Sequence, residues 1–222
     1  MFIYGVLAPA LAAVASISFV APALGGAPNL ASGDRERYLR DPAIKAFLYG
    51  VPVYLLLLAY RHLIPLDRTY RLINLYLDAL VSDTFGFAVL IAVGSVLFNR
   101  HLRDGAPGEL FTAHSAFFAV AYTVLAVAEA AAHPGVWTIW ELTTQPVLWI
   151  STVVVFPLSL TVADTVHGGG WAALLLIIQP LVAAAVPMLS AWLLPGAAIA
   201  AAVGVVALTG GALWGFAFRA GA

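Results

Sequence analysis

Acidic and histidine side chains fall in the longest apolar part of this chain, where such groups could move protons or bind a solute. From Asp104 to Phe218 the chain has no Lys and no Arg, yet this stretch contains carboxylates and three histidines. An ionised carboxylate in hydrocarbon is costly, and histidine is the only local side chain that could pair with it. Each of these acids must therefore be protonated, hydrogen-bonded, exposed to a water-filled cavity, or bound to a cation or partner.

One pair of these side chains has a spacing that suits acid–base chemistry. Glu129 and His133 stand one helical turn apart, so their side chains can touch. An acid and a histidine inside an apolar segment suit proton relay, coupling to a substrate, or general acid–base catalysis. Asp83 and Glu141 are expected on the same side of the membrane, where they would line an acidic vestibule that attracts cations. We therefore take Glu129, His133, Asp83 and Glu141 as the candidate chemical groups.

The helix that carries Glu129 has a polar stripe. At 100° per residue, His114, Tyr122 and Glu129 lie within an arc of about 100°. The next helix along the chain has a similar stripe, and a short loop makes the two helices antiparallel neighbours. If the stripes face each other, they form a polar pathway across the membrane, with Tyr122 and Thr152 near the middle. The predicted pathway residues are His114, Tyr122, Thr152, Asp164 and His167.

The sequence indicates no metal site and no cofactor. The pair formed by Glu129 and His133 and the pair formed by Asp164 and His167 fall at opposite ends of their helices, so three or four zinc ligands do not converge. The chain has no cysteine, which excludes disulfides and thiolate-bound metal clusters. Its net charge of −1 also removes nucleic acid as an expected partner.

The elements that must position these residues are membrane-spanning helices. Hydrophobic residues make up 63% of the 222 residues and charged residues only 9%, against about 25% charged in a soluble domain. A span needs about 20 apolar residues. We therefore predict an all-α, seven-helix membrane bundle in one domain, residues 1–222, with the first span retained instead of cleaved as a signal peptide. The predicted spans are 2–24, 46–65, 75–98, 112–132, 146–166, 171–194 and 196–218.

The basic residues predict the orientation of the bundle. Lys and Arg of short loops favour the cytoplasmic side, and most of them fall in the first loop, the third loop and the C-terminus. Arg61, Arg68 and Arg71 lie on the opposite side and oppose this assignment. The majority predicts an N-terminus outside and a C-terminus in the cytoplasm. We expect an integral protein of the cytoplasmic (inner) membrane of a prokaryote.

These observations favour a small transporter or channel, proton-coupled through Glu129 and His133, with its pathway between the fourth and fifth helices. Two alternatives remain open. One is an integral-membrane enzyme that acts on a lipid or isoprenoid, with Glu129, Asp83 or Glu141 as a general acid. The other is a non-catalytic subunit of a membrane complex. The expected partners are the lipid bilayer, a small-molecule or ion substrate, and further copies of the chain or a larger membrane complex.

Overall fold

The described part of the protein is helical. The computed structural model describes residues 2–26, 28–29, 33–63, 72–78, 80, 85–132 and 139–165, with isolated helical positions from 174 to 215; for residues 2–6 and 139–151, among others, it describes the backbone only. No strand occurs within these residues. In chain order the helices are α1 Phe2–Leu24, a π-helical turn Glu36–Arg40, α2 Asp41–Leu63, α3 Leu72–Asp78, α4 Phe85–Asn99, a 3₁₀ turn Arg100–Leu102, α5 Pro107–Ala132 and α6 Ile139–Thr165.

The all-helical prediction is confirmed, and three of the helices are long and apolar enough to cross a membrane. Their apolar segments are Leu7–Leu24, Glu36–Tyr60 and Pro107–Ala131. Two shorter apolar helices, Gly86–Leu102 and Thr152–Thr165, lie beside them. The predicted sixth and seventh spans, 171–194 and 196–218, fall largely outside the described residues.

The predicted third span, 75–98, is described in two parts. Helix α3 ends at Asp78 and α4 begins at Phe85. Between them only Leu80 is described, and its backbone is π-helical. Asp83 lies outside the described residues. The single span over 75–98 therefore stays a prediction.

Helix α5 lies at the centre of the bundle and packs against α1, α2, α4 and α6. In its apolar segment 78% of the residues are buried, against 33% in α1 and 28% in α2. The two outer helices present large apolar side chains outward, such as Leu11, Phe19, Leu48 and Leu56. Burial of the central helix therefore comes from protein contacts, and the exposed apolar side chains of α1 and α2 suit contact with lipid.

Glycines allow α1 to end against the start of α5. Gly25 and Gly26 have φ values of 85° and 69°, a conformation that favours glycine and ends the helix. The Gly108 N–H, in the first turn of α5, donates to the Gly25 carbonyl oxygen at 2.9 Å. A Cβ on Gly108 would lie 2.4 Å from the Ala21 carbonyl oxygen. This close contact fixes the end of α1 on the start of α5.

Candidate functional site

The ends of several helices meet at one end of the bundle, which we call the basic end. Here α1 and α6 end, while α2 and α5 begin. The Tyr38 hydroxyl, from the π turn, donates to Glu109 Oε2 on α5 at 2.9 Å. The first and third loops, whose basic residues predict the orientation, both lie at this end. Their basic residues are Arg35, Arg37, Arg40, Lys45, Arg100 and Arg103.

An ion pair joins the loop before α5 to the end of α6. Arg103 Nε donates to Asp164 Oδ2 at 2.9 Å, and Arg103 Nη2 donates to Asp164 Oδ1, so the pair is bidentate. The carboxylate is 16% exposed and the guanidinium side chain 55%. The carboxylate of Asp164 raises the pKa of Arg103. The expectation that no Lys or Arg pairs with Asp164 is therefore wrong, because Arg103, just before the stretch without Lys and Arg, reaches the end of α6.

A buried polar group lies inward of this ion pair, between α4 and α5. His114 is 1% exposed, and its Nδ1 lies 2.7 Å from Ser95 Oγ. Asn99 Nδ2 donates to the same Ser95 oxygen at 3.4 Å. The charges of Asp164 and Arg103 both act on the His114 ring. Ser95 and Asn99 are one turn apart on α4, so two helices contribute to one polar cluster.

Four buried polar atoms in the described part have no hydrogen-bond partner among the described residues. They are Asn99 Oδ1, His114 Nε2, Ser115 Oγ and Ser159 Oγ. A buried polar atom left unpaired costs about 1–3 kcal/mol. The four atoms are therefore the candidate contacts for a polar molecule.

Two of these atoms, on Ser115 and Ser159, lie at one level of the bundle, and His114 is next to Ser115 in the chain. Phe118 contacts Phe156, with ring centroids 5.6 Å apart, and Tyr122 is hydrogen-bonded to Thr152. A four-residue step along α5 is thus matched by a four-residue step back along α6, as antiparallel helices require. The same register places Ser115 level with Ser159, three residues beyond each phenylalanine. We call Asn99, His114, Ser115 and Ser159 the inner site.

An aromatic layer separates the inner site from the other half of the bundle. The Phe87 and Tyr122 rings meet edge to face at 5.3 Å, and Phe118 stacks on Tyr122 at 6.4 Å. Phe156 completes the layer from α6. Tyr122 lies about 12 Å along α5 from His114, at a rise of 1.5 Å per residue. These rings therefore pack between α4, α5 and α6 at this depth.

The remaining candidate residues lie beyond the aromatic layer or outside the described part. Glu129 is half-buried on α5 and engages another group. Glu141 lies on α6, but its side chain is outside the described part, as are His133, His167 and Asp83. The structure thus brings His114 and Asp164 to the basic end and leaves Glu129 near the opposite end of α5. The contact expected between Glu129 and His133 stays a prediction.

Three residues of the site were missed by sequence reasoning. Ser95 and Asn99 belong to the predicted third span, in which only the acids were considered, although their spacing of four residues places them on one face. Arg103 was counted as a loop charge, and nothing in the sequence shows that it reaches α6. Among the described residues, no three His, Cys, Asp or Glu side chains come together to hold a metal ion.

Comparison with known proteins adds no assignment. No protein-family model matches the chain, and neither the curated proteins nor the solved structures give a significant match.

Proposed function

We propose that the chain is a seven-span protein of the cytoplasmic membrane of a prokaryote, with its N-terminus outside and its C-terminus in the cytoplasm. Support comes from the basic end, where the arginines of the first and third loops come together. Positively charged loops are retained on the cytoplasmic side. The basic end would then face the cytoplasm, and Glu129 would lie toward the outer side.

The proposed function is that of a small membrane transporter or channel, with a pathway along the polar face of α5. The inner site would receive the solute or ion, the Arg103–Asp164 pair would close it toward the cytoplasm, and the aromatic layer would close it toward the outside. The observation that carries this proposal is the set of four buried polar atoms without partners in the described part. Such atoms between two closures are the arrangement that alternating access requires.

Proton coupling is the second part of the proposal and is assigned to Glu129 with His133. Glu129 lies on the same face of α5 as His114 and Tyr122, within an arc of about 60° from His114. A carboxyl group on that face could exchange a proton with water outside and with the pathway inside. Asp83, Glu141 and His167 would line the two entrances. The lipid bilayer and either further copies of the chain or other membrane subunits would surround the bundle.

Proton flux into liposomes tests this function. Purified protein is reconstituted with an internal pH dye, and a potassium gradient with valinomycin sets an inside-negative potential. We expect wild-type protein to acidify the interior faster than protein-free liposomes. Glu129→Gln should lose this flux, because an amide cannot carry the proton. Glu36→Gln, an exposed change in the π turn, is the matched control and should keep it.

Two results would contradict the proposal. Wild-type flux equal to that of protein-free liposomes would remove proton coupling, and unchanged flux in Glu129→Gln would remove this residue from the mechanism. Turnover of a lipid by the purified protein would favour the enzyme alternative instead.

A further inference from the structure

Hydrogen bonds link three side chains of the inner site. Asn99 Nδ2 donates to Ser95 Oγ, and this oxygen lies 2.7 Å from His114 Nδ1. If Nδ1 donates to Ser95, His114 Nε2 is an acceptor, and if the Ser95 hydroxyl donates to Nδ1, the neutral imidazole carries its proton on Nε2. In the second arrangement His114 Nε2 is a donor with no partner in the described part.

The unpartnered atoms then form a mixed set of donors and acceptors. His114 Nε2–H donates, and Asn99 Oδ1 accepts. The hydroxyls of Ser115 and Ser159, at the same level, can each do both. A ligand that satisfies this set must itself donate and accept hydrogen bonds. With its proton on Nε2, His114 has no lone pair at that nitrogen to offer a metal ion.

Charge points to the same class of ligand. The four residues of the inner site carry no formal charge, and the nearest charged groups among the described residues that act on His114 are Asp164 and Arg103. Those two neutralise each other in a bidentate pair. An ion in the inner site would therefore lose its hydration shell without gaining a counter-charge, which is costly. A neutral polar molecule avoids that cost.

We propose that the inner site binds the hydroxyl group of a small neutral molecule, either water or a short polyol such as glycerol. The inference deepens the proposed function by naming its solute class, and it rests on that function only in taking the bound molecule to be the transported one. The site would hold the hydroxyl between His114 Nε2–H and Asn99 Oδ1, with the two serines available for a second hydroxyl.

The tautomer of His114 is the first test. The full-length protein is prepared with isotope-labelled histidine, and NMR distinguishes a proton on Nε2 from one on Nδ1. The His114→Asn variant identifies the resonance among the five histidines. We expect the Nε2–H form in wild type and a loss of this single form in Ser95→Ala. Ser18→Ala, on the exposed side of α1, is the matched control. A proton on Nδ1 in wild type would overturn the proposal.

Ligand binding is read from the same resonance, with water and glycerol as probes. Transfer between Nε2–H and water protons, without a glycerol effect, supports water as the ligand. A shift of the resonance on adding glycerol supports a polyol, and this shift should disappear in Ser95→Ala but not in Ser18→Ala. A resonance that responds to neither probe would show that another side chain satisfies Nε2, and would overturn the inference.

A glycerol permeation assay distinguishes an error in the proposed ligand class from an error in the proposed transport function. Proteoliposomes exposed to a glycerol gradient should swell faster than protein-free liposomes, and His114→Phe should return the rate to the protein-free value. Glycerol binding at His114 with neither permeation nor proton flux would keep the site and remove the transport function. Proton flux without any response of His114 to water or glycerol would keep transport and remove the ligand class.

Discussion

The hydrogen-bond partners of individual side chains determine how polar groups are accommodated in this helical bundle. Asp164 is paired with a guanidinium from outside its own helix, whereas His114 is paired only through Ser95 and keeps one nitrogen unsatisfied in the described part. The first arrangement joins the loop before α5 to the end of α6, and the second leaves hydrogen-bonding capacity inside the bundle. An acid and a histidine are therefore accommodated in two different ways within one bundle.

Charge reversal tests the role of the ion pair as a closure. Arg103→Asp should place two carboxylates together, repel Asp164 and raise proton flux or solute leak, because the cytoplasmic end then stays open. The double variant Arg103→Asp with Asp164→Arg restores opposite charges and should lower the leak toward the wild-type value. The measurement is dye-reported flux in liposomes. Equal leak in the single and double variants would show that the pair does not act as a closure.

Removal of the Tyr122 hydroxyl tests the contact between α5 and α6. Tyr122→Phe deletes the hydrogen bond to Thr152, and hydrogen bonds between membrane helices contribute about 0.6 kcal/mol. We expect a small loss of unfolding free energy, about 0.5–1 kcal/mol, measured by denaturant titration in mixed micelles. Tyr60→Phe on α2 is the control, because its hydroxyl makes no hydrogen bond within the described residues. Equal effects of the two variants would contradict the assigned contact.

At the scale of elements, apolar length predicted four helices well. The predicted spans 2–24, 46–65, 112–132 and 146–166 correspond to α1, α2, α5 and α6, whose bounds differ by a few residues at most ends. Helices in a membrane satisfy their backbone groups internally, so apolar length is a strong signal. The predicted third span, 75–98, is helical at its described positions in α3 and α4, and the connection through Asp83 stays a prediction.

The site was only partly accessible from sequence. A helical stripe fixes which residues share a face, and that was enough to group His114 and Tyr122 with Glu129. It does not fix the rotation of one helix against the next, so the pairing of His114 with Ser95 on α4 could not be derived. The partner of Asp164 could not be derived either, since loop residues such as Arg103 have no periodicity that points to a helix.

The close contact between α1 and α5 predicts that a larger residue at Gly108 lowers the stability of the protein. Gly108→Ala places a Cβ against the Ala21 carbonyl oxygen. The backbone fixes the position of both atoms, so neither can rotate away. Overpacking of this kind costs about 1–3 kcal/mol. We expect a lower unfolding temperature by differential scanning fluorimetry. Gly33→Ala, where a Cβ meets nothing within 4 Å, is the control. Equal unfolding temperatures for wild type and Gly108→Ala would contradict this close approach.

At the scale of the whole molecule, charge and apolar surface together define an axis. The basic residues of the first and third loops gather at one end, while the outer helices expose leucine and phenylalanine along their length. This distribution supports the proposed insertion across a bilayer with the basic end in the cytoplasm. In that orientation the polar inner site would lie nearer the cytoplasmic surface than the outer one.

Cysteine labelling tests that orientation, and the chain offers a clean background because it has no native cysteine. Gly33→Cys, in the first loop, should react with a membrane-impermeant maleimide only in inside-out vesicles. Ala131→Cys, at the opposite end of α5, should react only in right-side-out cells or spheroplasts. Cysteine-free protein is the control. Labelling of both positions from the reverse sides would overturn the proposed orientation.

The packing of α1 on α5 and α6 also has a consequence for the order in which the helices associate during synthesis. In the chain, α1 ends at Leu24, whereas α5 begins at Pro107 and α6 follows it. Until those helices are made, α1 lacks the two neighbours that it packs against in the described structure. Helices that are individually stable in the bilayer can associate after they have inserted. Helix α1 has no charged residue from Phe2 to Leu24, so it suits insertion before its neighbours are present. Helix α5 carries His114 and Glu129 and enters after α1, α2 and α4, so its polar face meets protein on arrival.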